Sequence, residues 1–279
     1  MKNSKILKNL IDSKETLIMP DAYDPISARI IEYLGFKAVQ CSGYSFSIAA
    51  CKKAEVDIDF KENLSITSKI VDSVSIPVMA DGEDGFGGVE QIPDTIKKFI
   101  NIGVSGINIE DQVLDKKSIW KIIDSSMMIE KIQIAKKTAK ENGNAELIIN
   151  GRTDSLSAFD SRKEGLQESI KRANLYLEAG SDIVFVTNVR TLEEAKILVK
   201  EINGPLSIAA GLGCNIMNFS INDLKEIGIA RVSLPTIAIT SIIKTLMTSI
   251  DSLKTGNFEY LLDKEILCNS DDINRLINK

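Results

Sequence analysis

The feature that most constrains the fold is an eightfold alternation of short apolar runs with amphipathic segments along the chain. The runs are rich in Val and Ile, as expected of strands that are buried on both faces. We predict strands at residues 17–19, 38–41, 77–80, 106–109, 147–150, 183–186, 206–209 and 231–233. Helical spacing of apolar residues follows each strand, for example at 26–34, 60–74, 89–102, 129–142, 164–179, 192–202 and 222–227.

Uninterrupted strand–helix units predict an α/β fold, a closed parallel (β/α)8 TIM barrel. The length of 279 residues is close to that of a one-domain barrel. An open doubly wound sheet is the alternative, but no Gly-rich dinucleotide fingerprint follows the first strand. We therefore expect a single domain over residues 1–279, in which 257–279 form a C-terminal helical extension.

Composition excludes several classes of function. The sequence contains no histidine, so Ser-His-Asp and Cys-His catalysis and His-ligated zinc are excluded. The net charge of −5 argues against a nucleic-acid or membrane-surface partner, and the apolar runs are too short to span a bilayer. The four cysteines lack CxxC spacing, which favours reduced thiols and a cytoplasmic protein.

Polar residues follow the predicted strands, at the barrel end where active sites form. Among them, Asp81, Glu83 and Glu110 place three carboxylates at the ends of adjacent strands. Because crowded carboxylates repel, we predict a hard divalent cation such as Mg²⁺, with Asp81 as direct ligand and Glu83 and Glu110 holding its waters. The alternative is that these acids cap the helices that follow.

Two further groups at the same rim could bind an anion. The guanidinium of Arg152 matches a substrate carboxylate in a bidentate way, although it could instead pair with Asp154 as a structural bridge. Backbone N–H groups of Ser42, Gly43 and Tyr44 could form a small anion site, and a plain Ser-Gly turn is the alternative.

The segment after the fourth strand, 113–126, is charged and aperiodic. Long loops at this position can act as lids, and this one contains Lys116 and Ser118. A solvated surface loop is the other interpretation.

These motifs together resemble the isocitrate lyase and phosphoenolpyruvate mutase superfamily over about residues 10–250. DGEDGFGG is similar to the metal loop of that family, GINIEDQ to its fourth strand and GRTD to its fifth. MPDAYDPISARIIEYLGFKAVQCSG resembles its first two units, and AAGLGCNIMNFSINDLKEIGIARVSLP resembles the later units of short-loop members.

The resemblance implies Mg²⁺, or Mn²⁺ as an alternative ion, held by Asp81, Glu83 and Glu110. It implies that a pyruvyl or oxalate-like group lies against the metal and Ser42, Gly43 and Tyr44, and that Arg152 grips a substrate carboxylate. It also points to Glu55 as a loop acid near the metal. The family fold implies a homodimer or homotetramer in which a C-terminal helix is exchanged between subunits.

Departures from the family pattern narrow the reaction. Where the lyase branch carries KKCGH or KRCGH with a catalytic cysteine, this chain has Lys116, Lys117 and Ser118 followed by Ile and Trp. A serine hydroxyl is a far weaker acid than a thiol, which argues against cleavage of isocitrate or methylisocitrate. The mutase branch carries asparagine near the Ser118 position, the phosphonopyruvate hydrolase branch carries threonine there, and Thr187 replaces the mutase histidine.

We therefore predict a Mg²⁺-dependent lyase or decarboxylase that cleaves a C–C bond of a small 2-oxo or 2-hydroxy dicarboxylate through a pyruvate-like enolate. The predicted catalytic residues are Arg152, Lys116 and Ser118, and Asp81 and Thr187 are expected to contact substrate. Phosphonopyruvate-type C–P cleavage or phosphoenolpyruvate mutation is the second hypothesis. A catalytically silent, ligand-binding barrel is the third.

Overall fold

The computed structural model describes residues 2–113, 121–211 and 215–277, and within them eight parallel strands close into a barrel in chain order. The strands are β1 Leu17–Ala22, β2 Val39–Cys41, β3 Val78–Asp81, β4 Gly106–Glu110, β5 Ile148–Thr153, β6 Ile183–Val186, β7 Leu206–Ala209 and β8 Arg231–Leu234. The TIM-barrel prediction is confirmed, and closure excludes the open doubly wound alternative.

Helices surround the barrel and extend beyond its last strand. They are α1 Lys2–Ile11, α2 Pro25–Tyr33, α3 Gly43–Ala49, α4 Phe60–Ser73, α5 Ile92–Asn101, α6 Ser125–Glu141, α7 Ser155–Ala158, α8 Arg162–Glu178, α9 Leu192–Glu201, α10 Ile221–Glu226, α11 Ile237–Ser252, α12 Glu259–Asp263 and α13 Ser270–Ile277. The predicted helix at 89–102 is wrong at its start. Val89–Gln91 is a 3₁₀ turn, and the α-helix begins at Ile92, directly before Pro93.

Side chains that alternate along each strand divide between the wall and the interior of the barrel. Ile107, Ile149, Val184 and Ile208 pack outwards against the helices in the main apolar cluster. Inward-facing residues meet across the barrel instead, as where Asn150 on β5 contacts Met79 on β3. At the carboxyl ends of the strands this alternation points Asp81, Glu110 and Arg152 into the barrel mouth.

The first and last strands close the barrel. β1 pairs with β8 from Leu17 opposite Arg231 to Pro20 opposite Leu234. Beyond the paired residues, the Asp21 carboxylate accepts hydrogen bonds from the Ser45 hydroxyl and from the Thr236 N–H, which lies 215 positions along the chain. One carboxylate at the end of β1 therefore holds the starts of α3 and α11.

Helix α11 differs from the wall helices because most of its apolar residues face outwards. Only Ile239 is buried in it, while Leu246, Met247 and Ile250 are each more than half exposed. Large apolar side chains of α12 and α13, such as Leu262 and Ile277, are exposed as well. Among the described helices, none combines the length and apolarity that crossing a bilayer requires.

Candidate metal and substrate site

Three buried carboxylates converge at the mouth of the barrel. Asp81 ends β3, Glu110 ends β4, and Glu83 lies on the loop after β3. One oxygen atom of each carboxylate lies within 4.8 Å of the other two. Adjacent strand ends have thus brought together the three acids that were predicted from sequence to form a metal site.

The loop after β3 adopts an uncommon backbone conformation to point Glu83 inwards. Glu83 has a φ of 49° and Phe86 a φ of 58°, both in the left-handed region. The Glu110 N–H donates to the Glu83 carbonyl at 2.9 Å, and the buried Lys131 ammonium donates to the carbonyls of Asp84 and Gly87 at 2.5 and 3.1 Å. These bonds hold the strained loop against β4 and α6.

Oxygen atoms of all three carboxylates lack a hydrogen-bond donor. Asp81 Oδ1, Glu83 Oε2 and Glu110 Oε1 are buried without a hydrogen-bond partner among the described residues, and Glu110 Oε2 meets only the Arg152 guanidinium. Burial raises the pKa of each acid, and repulsion from Asp81 adds to the rise at Glu83. A divalent cation would supply the missing partner and displace the protons, so these residues fit a hard metal ion.

The helix-cap alternative for these acids is wrong. The helix caps nearest to the site are Ser42 for α3, Gln91 for α5 and Asp124 for α6. None of the three acids is an N-cap. Asp81 does accept from the Gly43 N–H in the first turn of α3, but one oxygen of each carboxylate faces the other two, so capping does not explain their burial.

Arg152 on β5 lies beside the acids and forms the bridge to Asp154 that was the alternative to substrate binding. Its Nε and Nη2 donate to the Asp154 carboxylate at 2.9 and 3.0 Å, Nη1 lies 2.5 Å from Glu110 Oε2, and Nη2 also donates to Gln112 at 3.2 Å. Burial opposes the charge of the guanidinium, but Asp154 and Glu110 raise its pKa well above the usual value. The side chain remains 17% exposed, towards the cavity.

Side chains behind Asp154 hold its carboxylate in place, and Asp154 in turn holds the Arg152 guanidinium. The fully buried Asp111 carboxylate accepts from the Asp154 N–H at 3.0 Å, from Tyr176 Oη at 2.7 Å and from Arg172 Nη1 at 3.0 Å. Thr187 at the end of β6 donates its hydroxyl to Asp154 Oδ1 at 2.8 Å. The predicted substrate residue Thr187 is thus bonded to the arginine's partner and also lines the cavity.

The Ser42–Tyr44 segment begins a helix that the sequence analysis did not predict. Ser42 caps α3, and its hydroxyl accepts from Ser45. The Gly43 N–H donates to Asp81 Oδ2 at 2.9 Å, so this donor is bonded to a protein carboxylate, and the anion site at Ser42–Tyr44 stays a prediction. A Cβ atom on Gly43 would lie 1.8 Å from Glu83 Oε1, which explains why glycine is needed here.

A cavity of about 460 Å³ opens beside Asp81 and Arg152. Ser42, Tyr44, Glu55 and Thr187 contribute to its walls, and Gln40, Asn108, Phe185 and Ser233 lie deeper. Burial raises the pKa of Glu55, while the charge of Arg152 opposes the rise. The placement of Glu55 agrees with the resemblance, and the deeper four residues were not foreseen.

Two predicted catalytic residues, Lys116 and Ser118, lie outside the described residues. The described ends of their loop are joined by a hydrogen bond from the Val113 N–H to the Lys121 carbonyl at 2.8 Å and by an antiparallel bridge between Gln112 and Ile122. Their roles stay predictions.

Fold and site together define a barrel protein with a carboxylate-rich centre for a hard cation at the carboxyl ends of its strands. Comparison with known proteins is more specific. Residues 7–254 match the model of the phosphoenolpyruvate phosphomutase family. The chain belongs to this family, and thus to the isocitrate lyase and phosphoenolpyruvate mutase superfamily.

Similar proteins in this superfamily include lyases. The chain is 30% identical over 209 residues to 2,3-dimethylmalate lyase of Eubacterium barkeri, covering 73% of this chain and 70% of that one. It is 26% identical to a 2-methylisocitrate lyase of Aeropyrum pernix, covering 93% and 82%. A crystal structure of 2,3-dimethylmalate lyase superposes with a TM-score of 0.85 at 25% identity, over 99% of this chain and 95% of that one.

Proposed function

We propose that this protein is a Mg²⁺-dependent lyase or decarboxylase that cleaves a C–C bond of a small 2-oxo or 2-hydroxy dicarboxylate. The observation that carries the proposal is the convergence of Asp81, Glu83 and Glu110 beside the Arg152 guanidinium in one cavity. The similarity to 2,3-dimethylmalate lyase supports carbon–carbon cleavage over other uses of the same site.

The charges of the site suit an enolate. Breaking a bond next to a carbonyl leaves an electron pair that becomes an enolate, and a divalent ion at the acids would supply positive charge for its oxygen. Mn²⁺ could replace Mg²⁺ there, since both favour carboxylate and water ligands.

Arg152 is the residue of this chain that we assign to the substrate carboxylate. Its guanidinium is fixed by Asp154 and Glu110, so little conformational freedom is lost when an anion binds. Ser42, Gly43, Tyr44 and Thr187 would line the substrate, and Lys116 or Ser118 would supply the proton that the product needs.

The second candidate is cleavage of a C–P bond in a phosphonopyruvate-like substrate. The match to the phosphoenolpyruvate phosphomutase family over residues 7–254 supports this candidate. Against it, Thr187 occupies the place of the mutase histidine and donates its hydroxyl to Asp154.

An assay with separate products distinguishes the candidates. Purified protein with Mg²⁺ is given oxaloacetate, 2,3-dimethylmalate or phosphonopyruvate, and pyruvate and phosphate are measured. We expect pyruvate without phosphate from a dicarboxylate, and no turnover after chelation of the metal. Phosphate from phosphonopyruvate would establish the second candidate, and failure with all three would refute both substrate classes.

A metal titration tests the catalytically silent alternative. We expect Mg²⁺ or Mn²⁺ to bind the native protein in calorimetry and binding to be lost in Asp81→Ala. Asp72→Ala, at an exposed position on α4, is the control and should bind normally. A native protein that does not bind either ion would support a silent barrel.

We also propose that the chain works as a homodimer or homotetramer. The exposed apolar residues of α11, among them Leu246, Met247 and Ile250, form a face that a second copy could cover. A small-molecule carboxylate remains the expected substrate, and the expected lack of nucleic-acid and membrane partners stays a prediction.

A further inference from the structure

Beneath the metal and substrate site, the interior of the barrel contains a fully buried arginine. Arg231 on β8 is 0% exposed, and its contacts cross the barrel. Nη1 donates to the Ser207 hydroxyl at 3.0 Å, Nη2 donates to the Gln40 carbonyl oxygen, and Nε lies 3.1 Å from Met19 Sδ. The guanidinium also lies 5.6 Å from the ring centre of Phe185.

This arginine is unusual because no carboxylate neutralises it directly. Among the described residues, none of the acids lies within ion-pair distance of Arg231. Burial lowers the pKa of Arg231 to about 9, and the Asp81 charge opposes that change. The residue is still protonated at neutral pH, so a fixed positive charge lies below the acids.

Barrel interiors are usually filled with Val, Ile and Leu, which involve no such desolvation. A charge retained there costs folding free energy, and the contacts of Arg231 lead to the substrate cavity. Gln40, which accepts from Arg231, donates its own amide N–H to Ser233 Oγ at 2.7 Å. Gln40, Phe185 and Ser233 all line the cavity.

The bond from Arg231 fixes which way the Gln40 amide faces. Since the amide oxygen accepts from the guanidinium, the amide nitrogen must lie on the other side, where it meets Ser233. Ser233 Oγ accepts that bond, so its own proton is available to a further acceptor. The floor of the cavity therefore presents hydrogen-bond donors above a positive charge.

We propose that Arg231 is a positioning residue for the anionic substrate, acting through Gln40 and Ser233 at the floor of the cavity. This inference rests on the proposed function, because it assumes that the cavity binds a carboxylate. It adds that the substrate is held from below by oriented donors as well as from the side by Arg152. Arg231 itself does not line the cavity.

The test uses oxalate, a planar dianion that mimics a pyruvate enolate, with saturating Mg²⁺. Calorimetry measures its dissociation constant for the native protein and for Arg231→Met, Gln40→Met and the double variant. We expect each single change to weaken oxalate about tenfold or more. Because both act through one contact, the double variant should lose no more than the weaker-binding single variant.

The matched control is Ser207→Ala, which removes an Arg231 partner on a neighbouring strand without touching Gln40. We expect its oxalate affinity to stay within about twofold of the native value. In turnover, Arg231→Met should raise KM more than it lowers kcat, which loss of stability alone would not produce. If Arg231→Met does not fold, Gln40→Met against the Ser207→Ala control still tests the inference, since it keeps the guanidinium and removes the contact through which Arg231 is proposed to act.

Native-like oxalate affinity in Arg231→Met or Gln40→Met would overturn the inference, as would losses that multiply in the double variant. Failure of the native protein to bind oxalate with Mg²⁺ would instead overturn the proposed function. The two failures are therefore distinguishable in one set of titrations.

Discussion

Two regions of the molecule contain groups that the single chain does not satisfy, and they differ in kind. At the barrel mouth, carboxylate oxygens of Asp81, Glu83 and Glu110 are buried without a donor. On α11, apolar side chains such as Leu246 and Met247 are exposed to water. A small cation would complete the first region and an apolar surface the second, in line with the proposed metal and subunit interface.

The two regions can be altered independently because they share few residues. Asp21 is the described link, since it binds both Ser45 on α3 and the N–H of Thr236 before α11. Substitutions at the barrel mouth should therefore alter metal binding or catalysis and leave the oligomeric state unchanged. Substitutions on α11 should alter the oligomeric state and leave metal binding and catalysis unchanged.

The largest effect is expected for Arg152→Lys. An ammonium cannot keep both bonds to Asp154 and also meet Glu110 and a substrate carboxylate. We expect kcat/KM to fall roughly 10³-fold, or about 4 kcal/mol of transition-state stabilisation, with the oligomeric state unchanged. Arg162→Lys, which also breaks a bidentate pair, with Glu194, is the control and should stay within about fivefold. A kcat/KM near the native value would contradict the role of Arg152.

Gly43→Ala should act next most strongly, through the metal. The new methyl group would overlap Glu83 Oε1 and push that carboxylate away from the other two. We expect Mg²⁺ affinity to fall roughly 10²-fold, as substitutions around metal ligands commonly produce. Gly165→Ala on α8, whose nearest contact would be 3.2 Å, serves as the comparison in the same calorimetry. Equal affinities in the two variants would refute the steric argument.

On the other side of the comparison, Leu246→Glu with Met247→Glu should break self-association. Two charges on the exposed apolar face would have to be desolvated in an interface. We expect the dissociation constant of the assembly to rise at least about tenfold in sedimentation equilibrium. Lys244→Glu on the same helix is the charge control. If the native chain is already monomeric at micromolar concentration, the proposal that α11 is a subunit interface fails.

The smallest effect concerns pH and the metal together. Burial raises the pKa of Glu83 and Glu110, so the folded metal-free protein binds more protons than the unfolded chain above the ordinary carboxylate range. Its free energy of unfolding therefore falls as pH rises through that interval. Mg²⁺ replaces the protons, so the Tm gain on adding Mg²⁺ should be larger at about pH 8 than at about pH 5, by roughly 3 °C. In Asp81→Ala, this pH-dependent gain should disappear.

The strands were predictable because each is buried on both faces, which leaves a continuous apolar run in the sequence. Predicted and observed bounds agree fully at 183–186 and 206–209, and the fifth strand extends three residues further, to Thr153. Its extra residues, Gly151 to Thr153, are not apolar, so the apolar run in the sequence ends before the strand does. The backbone pairing with β6 continues there and sets the true end.

Short helices in the loops were not predicted. Helix α3 begins at the glycine of the Ser42-Gly43 dipeptide, whose composition suggests a turn, and α7 has only four residues. Helical spacing was predicted after every strand, but no bounds were given for α11, whose apolar residues are too many to mark one buried face. The interface that we propose for it explains this pattern, since α11 would be covered on more than one side.

At the site, the acids and Arg152 could be placed from motif position alone, while their partners could not. Asp154 was considered as a partner of Arg152, but the support from Asp111, Tyr176 and Arg172 requires contacts between distant segments. Arg231 was foreseeable in part. It precedes the cavity residue Ser233 by two positions, so the alternation of a strand puts both side chains inside the barrel.

The pairing of β1 with β8 has a consequence for how the protein is made. A ribosome releases β1 long before β8, so the nascent chain cannot satisfy the free edge of β1 until almost the entire barrel has been synthesised. At typical elongation rates this delay lasts on the order of ten seconds or more. Barrel closure must therefore wait for β8, and until then β1 lacks its second hydrogen-bonding neighbour.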